Sequence, residues 1–247
     1  MKLELRLPRN PDFGSGLLRR VIRLTNVGNA AVAAHLIDNY HEMRCRLAHD
    51  GTFVTAIEGE IIRYPTTACP GSPASLDELR GLRLDTPGRL LYDTARLRRN
   101  CTHMFDIAAL SMKHAMRSDV TRTYVAEIPD QIDQPVEIMI TCNGQGIHRW
   151  TVDQDLIVEP ADLAGLPTLQ GFTKWAAEKF VGENLEAAFV LSRACFISKV
   201  RPYAPKAGKG MPLTENAALI GACYAYSAQN IENGRFIGEP SRLPRRP

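Results

Sequence analysis

The 247-residue chain has no unbroken apolar run of the roughly 18 residues that a membrane-spanning helix requires. Its best candidate, Ala217 to Tyr226, is rich in small residues and too short, so no transmembrane helix and no membrane partner are expected. Met1 to Pro8 alternates Leu with Lys, Glu and Arg where a secretory signal would be continuously apolar. A cytoplasmic location is the expectation. An excess of one charge is also missing: 30 Lys and Arg face 27 Asp and Glu, a net charge of +3. That falls far short of the basic stripe needed to neutralise a phosphate backbone, which argues against a nucleic-acid partner. Cysteines are few for the length, six at positions 45, 69, 101, 142, 195 and 223, and without an export signal they are expected to be reduced thiols. There is no Gly-x-Gly-x-x-Gly and no Walker motif, so neither a dinucleotide nor a P-loop nucleotide is implied, and an oxidoreductase is disfavoured.

What is present is an ordinary globular balance, 45% apolar, which is enough to bury a core. Residues 1–30 carry Arg9, Arg19, Arg20 and Arg23 with little clear periodicity and read as an N-terminal arm. Residues 234–247, with three prolines and four arginines, read as a C-terminal tail. Such ends are expected to lie on the body of the protein or on a second subunit, which makes a homodimer the expected assembly. Residues 31–118 form a first unit. Its strands include Met43 to Ala48 and Phe53 to Ile62, joined by a turn at His49-Asp50-Gly51-Thr52. Ser75 and Glu78 have the spacing of a capping box for a short helix ending near Gly81. Phe105, Ala108, Ala109, Met112, Ala115 and Met116 recur at helical spacing from Thr102 onward.

Residues 119–233 form a second unit. Tyr124, Ala126 and Ile128 alternate with polar residues, as do Val136, Ile138 and Ile140, and Asn143-Gly144 signals a type I′ hairpin into a strand over Ile147 to Val152. Helices are predicted over Phe172 to Phe180 and Leu185 to Ser198. The expected class is α+β: an antiparallel meander followed by helices, with a second hairpin-plus-helices unit packed on it. Two related halves fit this order, although no repeat is visible in the sequence.

The segment Arg98-Arg99-Asn100-Cys101-Thr102-His103-Met104-Phe105-Asp106 concentrates reactive side chains. A cysteine at a helix start feels the positive end of the helix dipole, and two neighbouring arginines favour its thiolate, so Cys101 is a candidate nucleophile or metal ligand. His103 and Asp106, three apart, share one helix face and form a candidate acid/base pair. The alternative is that Thr102 caps the helix, Cys101 is small and buried, and His103 is a satisfied surface group. Asp38, Asn39 and His41 make a second polar group. In a strand Asp38 and His41 would face opposite ways, so they share a site only if the chain turns at Asn39. Cys69 lies in a Pro-rich loop, and Cys45, Cys142, Cys195 and Cys223 fall on predicted strand or helix positions and are assigned to packing.

Asp38-x-x-His41, the Arg63-x-Pro65 stretch ending at Cys69, Leu79-x-Gly81-Leu82 and Cys101-Thr102-His103-Met104 resemble a bacterial family, domain-of-unknown-function family 2889. That family is marked by a strand-end Asp and His, a loop Cys and a Cys-Thr-His-Leu motif; Met104 stands where it has Leu. The resemblance covers residues 31 to 116 and, more loosely, 120 to 200 through Trp150 and Glu186-Ala187-Ala188. It implies bacterial catabolism of aromatic compounds and steroids. The order of parts in residues 31 to 116 is also similar to the iron-sulfur cluster scaffold proteins, although their His directly precedes its Cys, whereas His103 follows Cys101 by two. Carried over, that likeness implies zinc or a cluster on Cys69, Cys101 and His103, with Asp38 or His41 as a fourth ligand.

The leading expectation is therefore a lyase acting on a small aromatic substrate, a lignin-derived phenolic that loses a hydroxymethyl carbon as formaldehyde by side-chain acid/base chemistry without an organic cofactor. Such chemistry needs a proton carrier, a cation near the developing oxyanion and an apolar slot. Asp38, His41, Cys101, His103 and Asp106 are the candidate catalytic groups, Arg63 and Arg122 the candidate cations, and Tyr124, Trp150 and Trp175 the candidate slot walls. The alternative is a non-catalytic zinc- or iron-sulfur-binding protein.

Overall fold

The computed structural model describes residues 4–92 and 94–247. Eight strands form one antiparallel sheet: β1 (Leu17–Asn26), β2 (Ala31–Ile37), β3 (Glu42–His49), β4 (Val54–Arg63), β5 (Thr121–Pro129), β6 (Val136–Cys142), β7 (Gln145–Asp153) and β8 (Leu156–Glu159). Helices α1 (Gly88–Leu91), α2 (Thr94–Arg99) and α3 (Thr102–His114) follow β4, and α4 (Phe172–Lys179) and α5 (Gly182–Ser198) follow β8. This is an α+β fold, with the strand order β4-β3-β2-β1-β5-β6-β7-β8. The order reads the same when the first four strands are exchanged with the last four. The halves meet on the β1–β5 ladder, which runs from Leu17↔Pro129 to Thr25↔Thr121 and is centred on Val21↔Val125. Within the first half α3 packs across β1, β2 and β3, and in the second α5 packs across β5, β6 and β7.

Period-two alternation drives the strands. In β3, Met43, Cys45 and Leu47 are buried against the helices while Arg44 and Arg46 face solvent. The opposite sheet face carries charges such as Arg44 and Glu60, 3.5 Å apart. Two turns expected from the sequence are present: Asn143 and Gly144 both adopt positive φ, 48° and 82°, as a type I′ turn demands, and Asp50 Oδ1 accepts the backbone N–H groups of Thr52 and Phe53. In α3, Met104, Phe105, Ile107, Ala108 and Met112 are buried in the one core that both halves share. Each large apolar side chain so buried contributes about 1.5–3 kcal/mol.

Several expectations are corrected. The supposed arm, residues 1–30, contains β1, an interior strand that joins the two units into a single sheet. Leu18, Ile22 and Leu24 are its inward-facing apolar residues, and Arg20, also buried, interrupts their alternation in the same series. No side chain caps the segment over Cys69–Leu79, which is a 3₁₀ stretch beginning at Cys69, so the expected capping box does not form; Glu78 binds Arg99 at 3.0 Å instead. Helix α3 ends at His114, and Met116 is exposed. Described residues near both ends take one of the two expected placements, on the body of the same chain: Leu5 and Leu7 pack with Tyr203, Leu213 and Phe236 in a small second cluster, and Arg246 pairs with Glu127 at 2.7 Å.

Candidate functional site

The turn over Asp38 to His41 closes the β2–β3 hairpin and brings Asp38 and His41 to one side. Asp38 Oδ1 accepts the backbone N–H groups of Tyr40 and His41, both at 2.9 Å, and lies 3.0 Å from His41 Nδ1. Asp38 Oδ2 accepts Arg20 Nη1 at 3.0 Å. Burial opposes ionisation of this carboxyl, but His41 and Arg20 outweigh it and hold Asp38 well below the usual carboxylate range. Asp38 thereby orients the His41 ring, leaving Nε2 as its second nitrogen. The turn is pinned from three sides: Asn39 Oδ1 accepts the Arg19 N–H at 2.9 Å, Arg242 N donates to Asn39 O at 2.9 Å, and Arg63 donates to the carbonyls of Asp38, Asn39 and His41.

His103, one residue into α3, stacks on His41 with ring centroids 4.1 Å apart and planes 26° from parallel. Burial, then His41 and Arg20, push its pKa well below 6.5, so it is neutral at pH 7. Its Nδ1 lies 3.9 Å from Cys101 Sγ. Cys101 is not the expected thiolate: burial, reinforced by the nearby thiols of Cys69 and Cys223, pushes it up to about 12. The helix dipole is outweighed, and Arg99 is turned to Glu78. Cys223, expected on a strand or helix and in packing, instead precedes the 3₁₀ turn Tyr224–Tyr226, which is held to Cys101's neighbour by a Tyr224 N–H to Asn100 O bond of 2.9 Å. Sequence therefore brings together Asp38, His41, His103 and Cys101, with Cys69 within electrostatic reach of Cys101.

Asp38, His41 and His103 each offer a ligand atom within 4.8 Å of the others. A shared ion nevertheless fits them poorly. Imidazole lone pairs lie in the ring plane, so two rings stacked face to face direct them side by side and not to one point. Asp38 is also already engaged by Arg20, His41 and two backbone donors. The cluster as it stands suits a hydrogen-bonded unit that holds Arg20.

On the other side of Arg20 lies a cavity of about 700 Å³ between α3 and α5, floored by Arg20 and Ile22 of β1, a size ordinary for small-molecule sites. Its walls are mainly apolar, with Leu110, Phe189 and Tyr92 among them. Tyr92 stacks on Phe189 at 5.8 Å. At one end is Asp106, 6% exposed, with Arg193 Nε at 3.3 Å and Arg20 Nη2 at 3.9 Å. Burial raises the Asp106 pKa, and the two guanidinium groups only partly offset it. At the other end are Glu186 and Lys113. Two turns of helix, about 10.5 Å, separate Asp106 from Lys113 along α3 and Glu186 from Arg193 along α5.

The ends correspond. Asp106 and Glu186 are the fifth residues of α3 and α5, Lys113 and Arg193 the twelfth, and Arg20 and Tyr124 each precede by one the residues paired at the centre of the β1–β5 ladder. A slightly larger hollow of 740 Å³ near Arg9 and Tyr203 carries a charge, Lys199, that is paired with Asp155.

The remaining sequence candidates lie elsewhere. Arg63 spends its donors on backbone carbonyls and is no substrate cation. Arg122 is bound to Asp119 at 2.9 Å and Glu183 at 2.8 Å. Tyr124 reaches Glu186 Oε2 at 3.2 Å and supports the far end of the cavity from beneath. Trp150 and Trp175 belong to an aromatic core with Phe172 and Phe180, and Trp175 Nε1 donates to Pro167 O at 2.9 Å, so they are not slot walls. Sequence reasoning missed Arg20, Tyr92, Lys113, Glu186 and Arg193 as site residues. An arginine on the apolar face of a strand otherwise built from Leu18, Ile22 and Leu24 was the available signal.

No protein-family model matches the chain, and no curated protein matches it either. The chemistry of the site therefore rests on its own geometry.

Proposed function

We propose that the protein is an acid/base lyase acting on a small aromatic substrate held between α3 and α5, with Asp106 as the proton carrier. The observation that carries this reading is the placement of a buried carboxyl, biased toward its acid form, between two guanidinium groups at the end of an apolar cavity. Such a group suits the loss of a hydroxymethyl carbon as formaldehyde. The carbon–carbon bond breaks and its electron pair takes the Asp106 proton. The hydroxyl proton passes to the resulting carboxylate as the O–H pair becomes the second bond of formaldehyde. Asp106 ends in the form in which it began. Arg20 and Arg193 offset the negative charge that develops in between, and the Asp38–His41 unit acts through Arg20 as a positioning element. The phenolic nature of the substrate comes from the resemblance of the Asp38-x-x-His41 and Cys101-Thr102-His103 motifs.

The test is a screen of phenolic compounds bearing a hydroxymethyl group for released formaldehyde, with wild type and Asp106→Asn side by side. Loss of an acid/base group costs about a hundredfold to ten-thousandfold in rate. Asn keeps the shape of Asp at this buried position, and far-UV circular dichroism of the variant checks that the fold is retained. Equal release by both proteins, or none by the wild type, would refute the reading.

A further inference from the structure

Arg20 is fully buried, but only its Nη1 has a hydrogen-bond partner; Nε and Nη2 have none among the described residues, and Arg20 lines the cavity. A charged donor left without a partner in a buried site is costly, so folded chains seldom keep one without use. At the opposite end the charged side chains that line the cavity are partnered. Glu186 Oε1 accepts Arg117 Nη2 at 2.7 Å, Glu186 Oε2 accepts Tyr124 Oη at 3.2 Å, and Lys113 Nζ donates to Thr86 O at 3.0 Å. Arg117 Nη1, outside the cavity lining, is also without a partner; among the described residues that line the cavity, Arg20 alone keeps buried donors unpaired.

We infer that the cavity takes its ligand by a carboxylate head group, seated on Arg20 Nε and Nη2 with Arg193 beside it, and that the ligand's apolar body lies between α3 and α5. The inference rests on the cavity proposed above as the substrate site and names the class of compound it admits, aromatic carboxylates. Nε and Nη2 form one edge of the guanidinium, whose two parallel N–H groups match the two oxygens of a planar carboxylate. Arg193 Nε, already 3.3 Å from Asp106 Oδ2, supplies a second positive charge at the same end.

The head group would arrive beside Asp106. The charged and titratable groups around that position are Arg20 from β1, Arg193 and Glu186 from α5, Lys113 from α3 and Tyr92 after α1, with Asp38, His41 and His103 behind Arg20. A second negative charge there favours the protonated form of Asp106, whose carboxyl is already raised by burial. Wherever Asp106 is ionised in the free protein the ligand therefore binds together with a proton, so its affinity does not rise with pH.

The experiment is calorimetric titration of the full chain with benzoate and with its uncharged counterpart benzamide, across about pH 5 to 8. Arg20 variants are avoided because they risk unfolding; Arg193→Met, at a partly exposed position, takes their place. Benzoate should bind at least tenfold more tightly than benzamide, should not tighten as pH rises, and should lose about tenfold in affinity in Arg193→Met while benzamide is unaffected. Benzamide binding as tightly as benzoate, benzoate affinity that rises with pH, or a folded protein that binds no benzoate would each overturn the inference. Formaldehyde release without carboxylate selectivity would leave the lyase standing and remove the head-group assignment; selectivity without release would do the reverse.

Discussion

Replacing Arg20 by Leu tests whether the buried charge network is organised as described. Leucine suits a strand face that already presents Leu18, Ile22 and Leu24, so the packing loss is small and the cost is electrostatic. The variant removes the guanidinium 3.0 Å from Asp38 Oδ2 and 3.9 Å from Asp106 Oδ2. Asp38 keeps His41 and two backbone N–H groups but loses its permanent cation in a site with no solvent exposure. Breaking a buried pair from one side costs about 3–5 kcal/mol, a large share of the roughly 5–15 kcal/mol that stabilises a domain. Asp38→Asn should cost a similar amount, because it leaves Arg20 with no strong partner. The double variant should cost about as much as the worse single change, a coupling of about 3–5 kcal/mol. Urea unfolding of the four proteins at pH 7 measures this. At that pH Asp38 is ionised in both states, its folded pKa being depressed, and the stabilisation it provides is lost only as pH falls below about 4. Stability of Arg20→Leu within about 0.5 kcal/mol of wild type, or strict additivity of the two changes, would refute the network.

Two further outcomes are expected. The folded pKa of His103 is depressed by burial, so its neutral form contributes stability above about pH 6.5, and this is lost as pH falls toward the folded value, by up to about 1.4 kcal/mol per pH unit; urea unfolding at pH 7 and 5 should show the loss in wild type and a smaller one in His103→Phe, and an equal loss in both would dismiss His103 as its source. Trp150, 2% exposed in the aromatic core, should cost about 3–5 kcal/mol as Trp150→Ala with benzoate affinity of the folded protein unchanged; lost affinity at unchanged stability would restore it as a wall of the slot.

The local patterns of the fold were legible because their causes are local. Alternation gave the strands of both meanders, Asn143-Gly144 gave its turn through positive φ, and the apolar period of α3 gave its buried stripe. The role of β1 was hidden, since Arg20 breaks the apolar series that would have announced an inward face. At the site, Asp38, His41, Cys101, His103 and Asp106 carried visible polar signatures. The partners of Asp106 did not: Arg193 lies in a helix whose remaining pattern is that of a core element, and its distance of 3.3 Å from Asp106 is a product of tertiary packing. Cys101 shows the opposite error. Its sequence surroundings promised a thiolate, and burial beside two other thiols reversed the sign.

The internal correspondence also explains why no repeat could be read along the chain. Val21 and Val125 are 104 residues apart, whereas the helix starts Thr102 and Gly182 are 80 apart, so no single offset superposes strands and helices together. The correspondence carries weight in the functional argument because it supplies an internal control. Both ends of the cavity have a carboxylate on the fifth residue of a helix, a cation on the twelfth residue of the facing one and a side chain rising from the central ladder. At the Glu186 end that side chain is Tyr124, and Glu186 is satisfied by it and by Arg117. At the Asp106 end it is Arg20, with two buried donors lacking an acceptor. Architecture alone would be served by the same solution at both places, since the two ends support the same sheet with the same helix geometry. A deficit that faces the cavity at one end, where the lining groups of the counterpart are paired and the unpartnered Arg117 Nη1 lies outside the lining, is therefore better explained by a ligand that completes it than by the demands of folding.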